Sequence, residues 1–252
     1  MNSDVRSTGR VLGAQIDALS WDDAMSRLLG WAYARESHYV TICNVHVVVS
    51  ASRDAAYREI INGSDMATPD GAPVAWMLRR QGFAGQPRIS GPDLMWALCE
   101  RAEAEYIPIY CYGSTDSTLA LLEDRLRAAF PGLRVMMESP PFRALTPEED
   151  VAAVDRINTS GAGIVFVGLG CPKQERWMAE HRGRIDAVMI GVGAAFDFHA
   201  GTVQRAPAWM RDNGLEWLHR LMSEPGRLWK RYLVTNTLFI VGAARQLFGG
   251  EP

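Results

Sequence analysis

The feature that most constrains the fold is a recurring alternation between short apolar runs and longer segments with helical spacing. The runs are typical of buried β-strands: HYVTIC (38–43), IPIYCY (107–112), LRVMM (133–137), GIVFVG (163–168) and AVMIGV (187–192). Helix starts are marked between them by capping residues at Ser20 and Thr146. Because strands that alternate with helices form crossover units, the pattern predicts an α/β fold with a doubly wound, Rossmann-like parallel sheet.

Ligands of such sheets bind beyond the carboxyl ends of the strands, so the residues that follow the runs are the first site candidates. These residues are Asn44, Gly113, the segment 168–175 and the segment 193–201. The sequence FVGLGCPKQERW (166–177) predicts a strand, a tight turn at Gly168 and Gly170, and a helix with Pro172 in its first position. Backbone N–H groups point outward at such a helix start, so the segment predicts a phosphate site.

Two other interpretations of this segment stay open. A dinucleotide fingerprint G-x-G-x-x-G would make the chain an NAD(P)-binding oxidoreductase, with Asp186 as the acidic partner of the ribose. Lys173 stands where that motif needs its third glycine, which counts against nicotinamide binding. Alternatively, Gly168 and Gly170 only end a buried strand and contact no ligand.

The chain changes character after Gly201, where strand-like runs give way to helical spacing with several tryptophans and arginines. We therefore divide it into a Rossmann-like domain (residues 1–201) and a C-terminal helical appendage (residues 202–252). No acidic residue lies between Pro225 and Glu251, and the basic and aromatic side chains there favour an anionic membrane surface as a partner. Alternatively, this segment packs on its own domain or on another subunit of a homo-oligomer.

Composition excludes several functions. The net charge of −3 argues against a nucleic-acid partner. The histidines form no close ligand pair and no D-x-D motif occurs, so no metal and no other cofactor is predicted. The four cysteines are widely spaced, which fits a reducing cytoplasm.

The carboxylates best placed for chemistry are Asp70, Asp93 and Asp197, although each also suits a turn or a helix cap.

Several ordered motifs together resemble the WecG/TagA/CpsF glycosyltransferase family over roughly residues 10–245. They are Asn44 with the valines after it, PDG (69–71), R-x-x-G-x-D-L (88–94), Gly113, G-x-G-x-P-x-Q-E (168–175), GVGAAFDF (191–198), RAP (205–207) and GLEWLHRL…EPGRLWKRY (214–232). The resemblance implies an inverting transferase without an essential metal, acting at the cytoplasmic face of the membrane. Its donor would be a UDP-sugar carrying N-acetylmannosamine, its uronic acid or glucose, and its acceptor a polyprenyl-diphosphate-linked saccharide.

Residue roles follow where the motifs match. Asp70 matches the catalytic base, which takes the proton of the acceptor hydroxyl. The departing diphosphate needs positive charge, which arginines of the appendage are predicted to supply: Arg220, Arg227 and Arg231. Substrate contacts are predicted at Asn44, Arg88, Asp93, Gly113, Gly168, Gly170, Pro172, Lys173, Gln174, Glu175, Gly193 and Asp197.

One position departs from the family pattern. The family usually carries Thr two residues before the Asn, whereas this chain has Ile42 there and Thr41 one position earlier. Since a shift of one residue reverses the face of a strand, Thr41 is not expected to take over that role. A non-catalytic, membrane-associated scaffold with a degenerate pocket is therefore a further alternative.

Overall fold

The computed structural model describes residues 6–249, without the side chains of Asp212 and Arg227. Its strands are β1 (Thr8–Val11), β2 (Ala14–Asp17), β3 (His38–Cys43), β4 (Met66–Pro69), β5 (Ile109–Gly113), β6 (Val135–Glu138), β7 (Ile164–Gly168) and β8 (Val188–Gly191). Its helices are α1 (Trp21–Ala34), α2 (Val45–Arg53), α3 (Ala55–Asn62), α4 (Ala72–Arg80), α5 (Gly91–Ala104), α6 (Asp116–Ala129), α7 (Pro147–Thr159), α8 (Lys173–His181), α9 (Ala195–Ala200), α10 (Ala208–Asp212), α11 (Glu216–Ser223) and α12 (Pro225–Phe248).

Six strands form one sheet in the order β4-β3-β8-β7-β5-β6, and every neighbouring pair is parallel. The predicted α/β class and the Rossmann-like parallel sheet are therefore confirmed. All five predicted strands lie in this sheet. Helices cover both faces, and the remaining two strands, β1 and β2, pair as a separate antiparallel hairpin.

Three strands were not predicted. Strand β4 has only four residues, and its sequence MATP contains a threonine and ends in a proline, so it shows neither alternation nor a long apolar run. The strand is instead stabilised by parallel pairing with β3, in which residues 40–43 are in register with residues 66–69. The hairpin strands β1 and β2 are equally short.

The predicted helix starts at Ser20 and Thr146 are confirmed by reciprocal capping boxes. The Ser20 hydroxyl accepts from the backbone N–H of Asp23, and Thr146 pairs with Glu149 in the same way. The start of α8 differs by one residue from the prediction. The helix begins at Lys173, and Pro172 precedes it after a cis peptide bond, so Pro172 is the capping residue and not the first helical one.

Side chains of the central strands alternate between two apolar layers, one on each face of the sheet. Phe166 and Ile190 belong to the layer covered by α1, α5, α6 and α9, whereas Val165 and Met189 belong to the layer under α7 and α8. All four are fully buried. Burying such a side chain stabilises the fold by about 1.5–3 kcal/mol. The sheet is therefore a stable element, and it fixes the positions from which the loops at its edge begin.

The topological switch point of the sheet lies where strands β5 and β7 end side by side. From β5 the chain moves outward to β6, but from β7 it moves the opposite way to β8, so the two connections diverge. Gly113 pairs with Gly168 at this point and has a φ of +130°. A Cβ on Gly113 would lie 2.6 Å from the Gly168 carbonyl, so only glycine allows the two strand ends to approach so closely.

The segment after Gly201 is helical, as predicted, and one face of α12 packs on the rest of the chain. Phe239 and Ala243 of this face are buried with α2 and the β1–β2 hairpin. Gln246 adds two hydrogen bonds to the hairpin, accepting from the backbone N–H of Leu12 and donating to the carbonyl of Arg10. The interpretation that the helix packs on its own domain is thus confirmed for this face.

Candidate active site

The candidate residues gather at one edge of the sheet because all six strands run in the same direction. Asn44 and Asp70 follow the neighbouring strands β3 and β4, whose last residues are paired. The backbone N–H of Asp70 donates to the Cys43 carbonyl at 3.0 Å, which fixes the chain as it leaves β4. Gly193 follows β8, two strands away from Asp70, so these three predicted positions lie at the same edge of the sheet.

Asp70 is half-buried between β4 and the start of α4. Burial raises the pKa of its carboxyl to about 6, and the negative charges of Glu216 and Asp93 act in the same direction. The charge of Arg88 and a hydrogen bond from the Gly71 N–H oppose the shift. At neutral pH the carboxylate is therefore still ionised but is more basic than an exposed aspartate, which suits a proton acceptor.

Asn44 caps the helix that follows it. Its side-chain oxygen accepts from the backbone N–H of Val47 at 3.2 Å, which fixes the side-chain amide at the start of α2. His46 lies in the same turn, and burial, followed by the charge of Arg231, lowers the pKa of its imidazole. A neutral imidazole thus lies at the sheet edge, at a position that the sequence analysis did not select.

The predicted site residues Arg88 and Asp93 take part in an ion-pair network with the C-terminal helices. Arg205 donates two hydrogen bonds to Asp93, at 2.7 and 2.8 Å, and Ser90 donates a third at 2.5 Å. Arg88 donates to Glu216 at 2.8 Å and to Asp93 at 3.4 Å. Burial opposes ionisation of Asp93, but the hydrogen bonds from Arg205 and Ser90 and the charges of Arg205 and Arg88 outweigh it and lower its pKa to about 2.

The loop between β7 and α8 is held in place by the side chain of Gln174, near the start of α8. The side-chain oxygen of Gln174 accepts from the backbone N–H groups of Gly170 and Gly193, at 3.2 and 3.1 Å, and thereby joins two loops. Its amide nitrogen donates to Glu175 at 2.8 Å. Both side chains are buried, with 4% and 0% exposure, and burial raises the pKa of Glu175. In the predicted phosphate site, the N–H of Gly170 is thus already bonded to a side chain, while Lys173 is exposed nearby.

The appendage brings two of its three predicted arginines towards this edge. Arg231 acts electrostatically on His46 of α2 and on Cys171 of the α8 loop, and its guanidinium lies 5.3 Å from the Tyr232 ring centre. The guanidinium of Arg220 lies 5.4 Å from the ring centre of Phe198, next to the half-buried Asp197. The side chain of Arg227 lies outside the described residues.

Comparison with known families decides the general class of the protein. The family described as "Glycosyl transferase WecG/TagA/CpsF family" matches residues 9–251, which is nearly the whole chain. The chain belongs to this glycosyltransferase family. The resemblance predicted from the motifs is confirmed, and it extends to both ends beyond the range that the motifs had covered. Membership supports glycosyl transfer rather than the hydride transfer that a nicotinamide enzyme would perform.

Two features of this glycosyltransferase family member concern membranes and metal ions. Among residues 6–249, no helix is both long and apolar enough to cross a membrane. Within the same described range, no group of three or more His, Cys, Asp and Glu side chains is placed to hold a metal ion. Arginines, among them Arg88 and Arg231, bring positive charge to this edge of the sheet.

Several charged residues in the network beside Asp70 were not predicted as site residues. They are Arg205, Arg211 and Glu216. Glu216 is 128 residues from Arg88 along the chain, and no local pattern indicates such a pair. The family motifs RAP and GLEW contain Arg205 and Glu216, but a motif alone does not show which residues meet.

The position of Ile42 agrees with the expected reversal of strand face. Ile42 lies in the layer under α5, where its Cδ1 would be 3.3 Å from a Cβ on Gly91. Thr41 is fully buried on the opposite face, and its hydroxyl donates to Ser64 at 3.2 Å. Thr41 therefore does not replace the usual threonine, and an apolar side chain occupies that position near the start of α5.

Proposed function

We propose that the protein transfers a sugar from a UDP-sugar to a polyprenyl-diphosphate-linked saccharide, with inversion and without an essential metal. The observation that carries the proposal is the half-buried Asp70, with its raised pKa, at the ligand-binding edge of a chain that matches a glycosyltransferase family throughout. The reaction would serve synthesis of a bacterial cell-surface polysaccharide, at the cytoplasmic face of the inner membrane. N-acetylmannosamine, its uronic acid and glucose are the candidate sugars.

In the proposed reaction, Asp70 accepts the proton of the acceptor hydroxyl as that oxygen attacks the anomeric carbon of the donor. The bond between this carbon and the diphosphate oxygen breaks on the opposite face, so the configuration inverts and UDP leaves with the bonding electrons. Charge then grows on the diphosphate, and Arg220, Arg227 and Arg231 of the appendage are the groups proposed to stabilise it. Asn44 and Lys173 are proposed to contact the donor from the neighbouring loops.

Several observations support membrane docking through α12. Its outward face carries an exposed apolar stripe, defined by Trp229, Leu233, Ile240 and Phe248, with exposures of 49%, 62%, 67% and 83%. Lys230 lies beside the stripe and is also exposed. An apolar face flanked by basic side chains favours an anionic bilayer, where each basic residue adds about 1 kcal/mol of attraction. The opposite face of α12 would meanwhile hold the active-site edge close to a lipid-linked acceptor.

The catalytic proposal is tested by supplying a panel of UDP-sugars with a short-chain lipid-diphosphate acceptor. We expect release of UDP with one of the sugars, and the anomeric configuration of the product, read by NMR, to be opposite to that of the donor. The matching GDP-sugars serve as controls. A product that keeps the donor configuration would contradict the single-displacement mechanism, and no turnover across the panel would contradict the UDP-sugar assignment.

The membrane proposal is tested by a double substitution in the stripe, Trp229→Ser with Leu233→Ser. Partitioning onto vesicles that contain anionic phospholipid should fall by about tenfold or more, since two apolar side chains no longer insert. Tyr33→Ser with Tyr106→Ser removes two even more exposed aromatic residues outside the stripe and is the control. Unchanged vesicle binding together with loss of a dimer in light scattering would instead identify the stripe as a contact between subunits.

A further inference from the structure

Arg88 is held from two sides by carboxylates. One of its nitrogens, Nη1, donates to Glu216 of α11 at 2.8 Å, and the other, Nη2, lies 3.4 Å from Asp93 of α5. Arg205 binds Asp93 through both of its terminal nitrogens and reaches Glu216 at 3.5 Å through Nε. All of these side chains are at most about one-third exposed, so their charges are only partly screened by water.

The same charges act on Asp70. Three charged groups influence its carboxyl: Arg88 from the loop before α5, Asp93 from α5 and Glu216 from α11. Arg88 favours the ionised carboxylate, whereas the two carboxylates disfavour it. Arg88 donates to Glu216 and lies 3.4 Å from Asp93, and a guanidinium bound by these two carboxylates attracts the carboxylate of Asp70 less strongly.

We propose that Glu216 is a positioning residue for the proton acceptor: by holding Arg88 to α11, it prevents Arg88 from neutralising Asp70. The basicity of Asp70 then depends on docking of the C-terminal helices, because the negative charge that engages Arg88 arrives with α11. The chemical role of Asp70 in this inference rests on the proposed function, but the electrostatic link between α11 and Asp70 does not.

The contacts of Glu216 differ from those of a residue that only holds α11 in place. Docking of the appendage is also secured by the bidentate contact of Arg205 with Asp93 and by the packing of α12 on α2. Glu216 makes its shortest contact with Arg88, the one cation among the three charged groups that act on Asp70. Replacing Glu216 by its neutral isostere removes both its own charge near Asp70 and its hold on Arg88, and both changes lower the titration midpoint of Asp70. A residue whose charge did not reach Asp70 would leave that midpoint unchanged.

The test is a pH titration of the full chain labelled with ¹³C at the aspartate carboxyl carbons, followed by NMR. Asp70→Asn identifies the signal of Asp70. Glu216→Gln should lower the titration midpoint of that signal by about half a pH unit or more, and Arg88→Gln should raise it by a similar amount. Glu123→Gln, which removes a carboxylate from the Arg127 ion pair on α6, is the matched control and should leave the midpoint in place.

A midpoint that is unchanged or higher in Glu216→Gln would overturn the inference. If that variant does not fold, Glu216→Asp is used instead; its shorter side chain withdraws from Arg88 and should also lower the midpoint, by a smaller amount. The measurement needs no substrate, so its failure is distinguishable from failure of the proposed function, which is judged by turnover of UDP-sugars in the wild-type protein.

Discussion

Two Pro-Asp pairs lie beside the same arginine and behave in opposite ways. Asp70 follows Pro69 at the end of β4, and Asp93 follows Pro92 in the first turn of α5. Burial disfavours the charge of both carboxyls, yet the pKa is raised to about 6 at Asp70 and lowered to about 2 at Asp93. The difference comes from hydrogen bonding, because Arg205 and Ser90 bind Asp93 directly. In the proposed function Asp70 accepts a proton, whereas Asp93 holds two segments of the chain together.

The largest effect is expected at the first of these positions. Asp70→Asn should lower turnover by roughly 10²–10⁴-fold, which is the usual contribution of a positioned base, and should leave the affinity for UDP nearly unchanged. Steady-state kinetics and calorimetric titration with UDP measure the two quantities. Near-normal turnover in this variant would remove Asp70 from the mechanism and make Asp197 the next candidate.

Asp93→Asn should affect the stability of the fold more than it affects turnover. The substitution leaves Arg205 and Arg88 with a neutral partner, so the free energy of unfolding at pH 7 should fall by about 1–3 kcal/mol. Denaturant unfolding measures this loss, and Asp124→Asn on the exposed side of α6 is a suitable control. If stability is unchanged while turnover is abolished, Asp93 acts on the substrate and the contrast between the two sites is wrong.

The two sites should also respond oppositely to pH. The pKa of folded Asp93 lies below its ordinary value, so its stabilising contribution is present above about pH 4 and is lost as the pH falls towards 2. The pKa of folded Asp70 lies above its ordinary value, so stability falls as the pH rises from about 4 through 6. Asp70→Asn should therefore be more stable than wild type at pH 8, by about 1 kcal/mol after allowing for partial solvent exposure, and equally stable below pH 4.

Thermal unfolding of both proteins across this pH range checks the sign. A wild-type protein that is more stable than Asp70→Asn at pH 8 would show that the carboxylate is stabilised, not penalised, by its surroundings. In that case Arg88 would be paired with Asp70 rather than with Glu216.

The smallest effect is expected from metal removal. A chelator should change turnover by less than about threefold, since arginines and helix N-termini are proposed to meet the charge of the diphosphate. Turnover is measured with chelator and again after manganese or magnesium is added. Activity that is lost and then restored by either ion would contradict the metal-independent mechanism.

The sequence was sufficient for features whose causes are local. Long apolar runs mark β3, β5, β7 and β8, and capping boxes mark the starts of α1 and α7. Strand β4 was missed because its four residues are stabilised by pairing with β3, which lies more than 20 residues earlier. Local pattern therefore fails where a short element depends on its neighbours in space.

In the candidate site too, residues with local sequence signals could be predicted, whereas contacts between distant residues could not. Asp70 and Asn44 could be selected because each follows a strand or precedes a helix, and the family motifs contain both. Gln174 was predicted to face a substrate, but its buried amide joins the loops at Gly170 and Gly193, a contact that only the folded chain creates. The partners of Arg88 could not be predicted either, because opposite charges far apart in sequence give no indication that they form an ion pair.

The most direct test of the central claim is the pH dependence of kcat/KM, measured with the preferred UDP-sugar and a soluble acceptor. If Asp70 is the base, kcat/KM should rise with pH through a single step with a midpoint near 6, as the carboxyl loses its proton. The residual activity of Asp70→Asn should lack this step. A midpoint near 4 in the wild type, or a step near 6 that persists in Asp70→Asn, would contradict the assignment of Asp70 as the catalytic base.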